Sequence, residues 1–281
     1  MEKMIVDTEG NKLIDPSGHP AFSYTKHGEV HSFLEPETRA RLEKFLLAFE
    51  DFRSQRDDRI LDSNLYPSLP YVDQDLKTWK NRQRDLEFLQ KNHPISGKRV
   101  LEIGSWNGWL ANRLTLGGAT VCAVDYFVDL FDGLGAIAHY PDSEWTAIQM
   151  DCEDLSVLEP GFDLIVFNWN LMMFSNPWKV LEQAKGLLGK NGVIVILGII
   201  VLRNGSKSEN HFKQLSTQFE KDYGIPFGLR PFKGFFGFSE LQKLRQNGFE
   251  TSAYQGLLTK MKGLLKPTSS QPYRAVYRRN Q

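Results

Sequence analysis

A glycine turn between a strand and a helix is the feature that most constrains this chain. Residues 98–111 read Lys-Arg-Val-Leu-Glu-Ile-Gly-Ser-Trp-Asn-Gly-Trp-Leu-Ala, which predicts an apolar strand, a turn at Gly104 and a helix. A second strand over residues 120–124 follows and ends at Asp125, 21 residues after Gly104. This spacing fits one βαβ unit with the turn and the carboxylate on the same edge of a parallel sheet. There the turn and the helix N-terminus can hold one end of a nucleoside cofactor, and the carboxylate can accept hydrogen bonds from its ribose hydroxyls.

The spacing of the glycines argues against a dinucleotide. The fingerprint G-x-G-x-x-G, counted from Gly104, needs glycine at positions 106 and 109, and both positions hold tryptophan. A bulky side chain there obstructs the close approach of backbone to a pyrophosphate. The pattern that remains is Glu102-x-Gly104-x-x-x-Gly108.

This pattern resembles motif I of the class I S-adenosylmethionine (SAM)-dependent methyltransferases, usually E/D-x-G-x-G-x-G, with Trp106 in place of the middle glycine. A third predicted strand, residues 145–150, ends at Asp151-Cys152, and a fourth, residues 162–167, ends at Asn168-Trp169-Asn170. The resemblance implies SAM as cofactor, with Asp151 accepting from the adenine amino group and the next backbone N–H reaching the ring. The cofactor-binding residues that it implies are Glu102, Gly104, Ser105, Trp106, Asn107, Gly108, Asp125, Tyr126, Asp151, Cys152 and Asn168.

The rest of the chain completes an α/β pattern. Asn176-Pro177 predicts a helix start, Asn191-Gly192 its end, and residues 193–202 a buried central strand. A later helix is predicted with Ser239 and Gln242 in a capping box and a stop at Gly248, followed by strands at 250–255 and 273–279. The expected fold is a Rossmann-like, seven-stranded, mostly parallel sheet with helices on both faces, and the resemblance implies an antiparallel last strand.

Residues 1–95 are predicted to form an N-terminal α/β elaboration outside the sheet, ahead of a SAM-binding domain at residues 96–281. Turn signals and a hairpin over residues 24–34 precede two amphipathic helices, near residues 42–49 and 75–90. The region lacks the cysteines of a zinc module, so no metal site is expected. Arg82 interrupts the apolar face of the second helix. It is predicted to face the SAM carboxylate or the substrate, the alternative being that it extends to solvent.

A second elaboration, residues 203–237, falls beyond the carboxyl end of the fifth predicted strand, where open α/β sheets bind ligands. Its aromatic residues and glycines predict a lid over the substrate. Methyl transfer from SAM needs a dedicated base only when the acceptor must first lose a proton. The lid residues His211 and Tyr223 are the predicted catalytic residues, and His139 is a further candidate base.

Composition limits the partners. The 34 basic and 34 acidic side chains balance, so no global field attracts nucleic acid. The sequence also lacks the N/D-P-P-Y motif of amino-methylating enzymes that act on DNA and proteins. The two cysteines are predicted to be buried thiols, and no targeting or membrane-spanning segment is recognised, so a cytoplasmic protein is expected.

We therefore expect a SAM-dependent methyltransferase that acts on a small molecule in a pocket flanked by both elaborations. A polynucleotide acceptor is disfavoured, and the sequence does not indicate an oligomeric state. Two alternatives stay open at this point. One is a catalytically inactive partner or scaffold protein with the same fold, which Trp106 supports. The other is a Rossmann enzyme that binds NAD or a nucleotide sugar.

Overall fold

A large mixed sheet organises the chain in the computed structural model, which describes residues 4–56, 59–72, 77–142, 144–202, 206–254 and 271–279. Nine strands form this sheet in the order β10-β11-β9-β8-β5-β6-β7-β4-β3, and β1 and β2 pair separately. The strands are β1 (Ile5–Val6), β2 (Lys12–Ile14), β3 (Ser23–His27), β4 (Val30–Leu34), β5 (Arg99–Ile103), β6 (Thr120–Asp125), β7 (Thr146–Gln149), β8 (Phe162–Asn168), β9 (Leu188–Val201), β10 (Glu250–Ala253) and β11 (Gln271–Arg278).

The predicted Rossmann-like arrangement is confirmed from β5 onwards. Strands β5 to β9 run parallel, and β11 pairs antiparallel with both β9 and β10, as expected for the last strand. In the register, Ile103 lies between Val124 of β6 and Phe167 of β8. The loops that follow β5, β6 and β8 therefore meet at one edge of the sheet.

The expectation that residues 1–95 lie outside the sheet, and with it the count of seven strands, is wrong. Strand β4 pairs in parallel with β7, and β3 completes a hairpin with β4. The Ser32 hydroxyl donates to Gln149 across this junction at 2.6 Å, with both side chains buried. Pairing covers the backbone groups that β7 would otherwise leave at an open edge. The hairpin itself is confirmed, but its partner lies more than a hundred residues later, beyond the reach of local sequence patterns.

Helices cover both faces of the sheet, as predicted: α1 (Pro36–Ser54), α2 (Lys77–Asn92), α3 (Trp109–Leu116), α4 (Pro177–Leu187), α5 (Ser206–Tyr223) and α6 (Phe238–Gln246). Asn176 caps α4 as predicted, accepting from Lys179 N–H at 3.1 Å. Helix α4 ends before Asn191, which lies within β9 in a left-handed conformation. The N-cap of α6 is Gly237 instead of Ser239, because the Glu240 carboxylate accepts from the Gly237 N–H at 2.7 Å.

Successive side chains along each strand point to opposite faces of the sheet, and this alternation divides the core into two layers. Leu101, Ile103 and Phe167 belong to one layer, while Val100 and Val166 belong to the other, which also packs on α2 and α3. A third, smaller cluster joins α1 to α5 and the segment after it through Phe45, Phe219 and their aromatic neighbours. The predicted start of α2 near Asp75 and the start of the lid at Arg203 lie outside the described residues.

Candidate active site at the carboxyl edge of the sheet

The turn after β5 has the backbone of a ligand cradle. Gly104, Trp106 and Gly108 all adopt left-handed conformations, with φ of 69°, 52° and 70°. A Cβ on Gly104 would lie 2.2 Å from the Asn170 amide nitrogen, and one on Gly108 would lie 2.5 Å from the Trp145 ring. Glycine is therefore required at both ends of the turn, as the sequence predicts. Trp106, in place of the middle glycine, keeps the left-handed backbone despite its side chain.

Asp125 ties this turn to the end of β6. Its carboxylate accepts from the Trp106 N–H at 2.6 Å and from the Phe127 N–H at 3.0 Å, and the side chain is buried. Burial raises the pKa of Asp125 to about 6, although the backbone donors oppose this shift. A carboxylate offers about four acceptor positions, so these two bonds leave capacity for ribose hydroxyls.

Arg82 lies against the turn, between two tryptophans. The Arg82 guanidinium carbon is 4.4 Å from the centre of the Trp79 ring and 4.8 Å from that of Trp106, and the two rings stack at 6.3 Å. The sequence predicts that Arg82 faces the SAM carboxylate or the substrate, but it gives no role to the indole of Trp106. In the structure that indole fixes the cation by a cation–π contact beside the turn.

Asp151 is linked to the lid. Its carboxylate accepts from Tyr126 Oη at 2.5 Å, from the Glu153 N–H at 2.9 Å and from Arg230, which also donates to Tyr126 Oη at 2.9 Å. Although Asp151 is buried, these hydrogen bonds lower its pKa below the usual value for an aspartate. Sequence reasoning missed Arg230 as a partner, since no local pattern connects residue 230 with the end of β7.

The residues that follow β8 lie at the same edge of the sheet as the glycine turn. Trp169 has φ of 62° and donates from its indole to Asp85 at 2.7 Å. Asp85 is fully buried on α2, and it also accepts from Tyr254 and Arg274. Asn170 donates to the carbonyl oxygens of Ile103 and Gly104, at 2.5 and 2.9 Å. These contacts were not predicted, because they depend on tertiary pairing of α2, β8 and the last strands.

Several buried polar atoms around the turn have no hydrogen-bond partner among the described residues: Ser105 Oγ, Asn107 Oδ1 and Nδ2, Asn168 Oδ1 and Asn170 Oδ1. Buried polar groups are normally hydrogen-bonded, so a polar ligand is a natural partner for atoms at this edge. Together with a turn that has no room for a Cβ at Gly104 or Gly108, they fit a nucleoside with a polar amino-acid tail. Three of these four residues were predicted to bind the cofactor, the exception being Asn170.

Two other predicted residues are enclosed in the core. Glu102 is fully buried, and burial raises its pKa well above the usual value for a glutamate. Cys152 is buried directly after Asp151, its pKa is raised well above normal by burial, and Sγ lies 3.8 Å from the Met150 carbonyl oxygen. They support the loops at this edge from within.

The predicted catalytic residues do not converge. Tyr223 lies at the end of α5, where its hydroxyl donates to Asp51 of α1 at 2.7 Å and this bond raises its pKa. His211 is exposed on α5. His139 stacks against Phe131 and packs on Tyr66, with ring centres 5.3 and 4.9 Å away. Their catalytic roles stay predictions. The described part of the chain contains no cluster of three potential metal ligands and no helix suited to crossing a membrane.

Comparison with known proteins agrees with this geometry. A family model described as a methyltransferase domain matches residues 75–224. The ubiquinone biosynthesis O-methyltransferase of Coxiella burnetii is 23% identical over 169 residues, which cover 58% of this chain and 68% of that protein. The phosphoethanolamine N-methyltransferase 2 of Haemonchus contortus, solved with phosphomonomethylethanolamine and S-adenosylhomocysteine (SAH), has a TM-score of 0.51 at 16% identity. That similarity covers 71% of this chain and 53% of the nematode chain.

Magnesium protoporphyrin IX methyltransferase from Synechocystis PCC 6803, solved with bound SAH, has a TM-score of 0.49 at 14% identity, with 86% of this chain and 99% of that chain covered. At 16% identity the nematode structure, with its TM-score of 0.51, shows a shared fold and no more. The family model carries more weight, because it spans more than half of the 281 residues and includes the glycine turn, Asp125 and Asp151. The chain therefore belongs to the methyltransferase domain family and is a class I SAM-dependent methyltransferase.

Proposed function

We propose that this enzyme transfers the methyl group of SAM to a small-molecule acceptor beneath a cover formed by residues 1–95 and 203–237. The observation that carries the proposal is the contact between the two elaborations. Phe49 of α1 lies 6.1 Å from Phe227 and 4.9 Å from Phe127, measured between ring centres. Phe127 lies two residues after Asp125 and donates its N–H to that carboxylate, so both elaborations meet beside the cofactor edge. A covered edge favours a small ligand over a duplex or a folded protein.

The cofactor roles follow from the contacts at this edge. The backbone of the turn from Gly104 to Gly108 receives the amino-acid part of SAM, and Arg82 binds its carboxylate. Asp125 accepts from the ribose hydroxyls. Asp151 and the backbone after it receive the adenine, on which Tyr126 packs. The orphaned oxygens of Ser105, Asn107 and Asn168 take part in the polar contacts that these groups need.

The residues of this chain contribute to the reaction mainly by holding the reactants in position. When bound, SAM would supply a methyl group activated on a sulfonium: the acceptor lone pair would bond to the methyl carbon as the C–S bond breaks, its electron pair would stay on sulfur in SAH, and the acceptor proton would pass to water. Trp169 and Asn170 keep the loop after β8 fixed beside the turn through their bonds to Asp85 and to Gly104. Holding the reacting atoms in line accounts for much of such a rate enhancement.

A base from the lid serves only an acceptor that holds its proton tightly. The hydrogen bond to Asp51 raises the pKa of Tyr223, so this phenol is neutral near pH 7 and acts as a donor. His211 is exposed on the lid helix and is the candidate base that we retain.

A crystal structure with SAH bound tests the proposal. We expect the sulfur to point into space covered by both elaborations. An open basic groove leading to the sulfur would instead favour a nucleic acid or a protein acceptor. Failure to bind SAH at this edge would favour an inactive scaffold.

A further inference from the structure

A cavity of about 520 Å³, open to solvent, lies between α5 and the loop that follows it. Its position relates it to the cofactor edge in two ways. Ser175, on one wall, donates through its N–H to Glu153 at 2.9 Å, two residues after Asp151. On the other wall, Phe227 and Pro231 flank Arg230, which is bonded to Asp151 itself. The cavity is therefore tethered to the cofactor edge on both sides.

One face of α5 lines the cavity. The lining residues Glu209, Phe212, Lys213, Ser216 and Thr217 recur at spacings of three, four, seven and eight, which place them on a single helix face. Phe219, seven residues after Phe212, lies at the edge of the same face and is buried in the aromatic cluster with α1. Helix α5 thus joins the aromatic cluster at one edge of this face and presents polar and aromatic groups to the open cavity along the rest of it.

Three phenylalanines form an aromatic corner in the lining. The Phe212 ring lies 4.8 Å from that of Phe232 and 5.7 Å from that of Phe227, both edge to face. All three side chains are only partly buried. A group of half-exposed rings around a cavity of this size is typical of a site for an apolar or planar ligand.

The charges in the lining favour an anion. Lys233 is engaged by Glu240 at 2.6 Å, whereas Lys213 has neither an ion-pair nor a hydrogen-bond partner among the residues that the structure describes. Glu209 is the one carboxylate among the described lining residues and forms no ion pair with Lys213 one helical turn away, so Lys213 is available to an acidic group of a ligand. Hydroxyl groups of Ser175, Ser216 and Thr217 add neutral hydrogen-bond capacity.

We propose that this cavity binds the methyl acceptor, and that the acceptor is a planar, largely apolar molecule with one acidic group. Its ring system packs in the corner of Phe212, Phe227 and Phe232, and its acidic group pairs with Lys213. The inference rests on the proposed function, since it takes the occupant to be the molecule that receives the methyl group.

The test uses anilinonaphthalene sulfonate, a fluorescent dye with planar rings and one sulfonate, and phenylnaphthylamine, a similar dye without the charge. Each is titrated into the full-length protein with SAH absent and saturating. Lys213→Ala should weaken the sulfonate dye about threefold and leave the neutral dye unchanged, in keeping with a partly exposed ion pair. Phe232→Ala should weaken both dyes about tenfold. Lys221→Ala, on the same helix but outside the lining, is the matched control and should change neither.

Equal affinity of the sulfonate dye for the wild type and both cavity variants would overturn the inference. Displacement of the dye by SAH would also overturn it, because the dye would then occupy the cofactor cleft. Calorimetry of the wild type and each variant with SAH distinguishes failure of the acceptor cavity from failure of the proposed function. Normal SAH binding, together with dye affinities that the cavity variants do not change, contradicts only the acceptor cavity. Absence of SAH binding in the wild type contradicts the proposed function.

Discussion

Replacement of Gly104 by alanine tests the cradle, because the chain contains a matched control. Gly97 has φ of 70°, nearly the same as the 69° of Gly104, but a Cβ on Gly97 would meet nothing within 4 Å. A Cβ on Gly104 would lie 2.2 Å from Asn170 Nδ2. The cost of a left-handed alanine, roughly 1–2 kcal/mol, is common to Gly97→Ala and Gly104→Ala, as is the lost flexibility of the unfolded chain. The difference between the two variants therefore isolates the contact.

The size of that difference follows from the hydrogen bonds of Asn170. To make room, its amide must leave the carbonyl oxygens of Ile103 and Gly104. Two such bonds contribute about 1–3 kcal/mol together, so Gly104→Ala should lower the free energy of unfolding by that much more than Gly97→Ala. Adding Asn170→Ala removes the two closest atoms and leaves Asn170 Cβ at 3.7 Å, so the double variant should lose less than the sum of the single changes.

Urea unfolding monitored by tryptophan fluorescence gives these free energies, and calorimetry with SAH gives the functional consequence. We expect Gly104→Ala to weaken SAH binding and Gly97→Ala to leave it unchanged. Equal destabilisation by the two single variants, or additive effects of Gly104→Ala and Asn170→Ala, would refute the packing argument. Unchanged SAH affinity in folded Gly104→Ala would refute the assignment of this turn as the cradle.

Three further predictions concern ionisable groups. Burial raises the pKa of Asp125 to about 6, and the charged carboxylate is the better acceptor for ribose hydroxyls. The affinity of the wild type for SAH should therefore fall as the pH is lowered through about 6 and stay constant above it. Asp125→Asn should bind SAH on the order of tenfold more weakly and without this pH dependence. A pH-independent affinity in the wild type would contradict this. Arg230→Met should break the contact between the lid and Asp151 and speed limited proteolysis between residues 206 and 237. The control Arg245→Met loses only an exposed hydrogen bond to Thr251 and should not change the cleavage rate. Equal cleavage rates in the two variants would contradict a role of Arg230 in holding the lid. Burial raises the pKa of Cys122 to about 12, so a thiol reagent should label this residue only as the protein unfolds. Labelling of the native protein at the rate of a free thiol would contradict the burial of Cys122 in the sheet.

The parts of the fold that the sequence predicts are those with local signals. Gly104 and Gly108 indicate a turn with left-handed backbone, Asp125 marks the end of the next strand, and Asn176 fixes the start of α4. Each depends on residues within one βαβ unit or one helix turn. For the same reason the predicted cofactor positions along β5 and β6 lie together in the structure.

The features that were missed depend on contacts between distant segments. The parallel pairing of β4 with β7 joins residues 30–32 to residues 147–149, and no periodicity in either strand identifies the other. Asp85 is buried because Trp169, Tyr254 and Arg274 converge on it from three other parts of the chain. Trp106 looked like a departure from the family pattern. Its left-handed backbone preserves the turn, while its ring supports Arg82.

The most direct test of the account is calorimetry of the wild-type protein with SAH and with NAD under the same conditions, repeated with Asp125→Asn. The account predicts that SAH binds at one site per chain, that NAD gives no binding heat, and that Asp125→Asn weakens SAH by about an order of magnitude. NAD binding in place of SAH, or full SAH affinity in a folded Asp125→Asn protein, would contradict the placement of the cofactor at this edge.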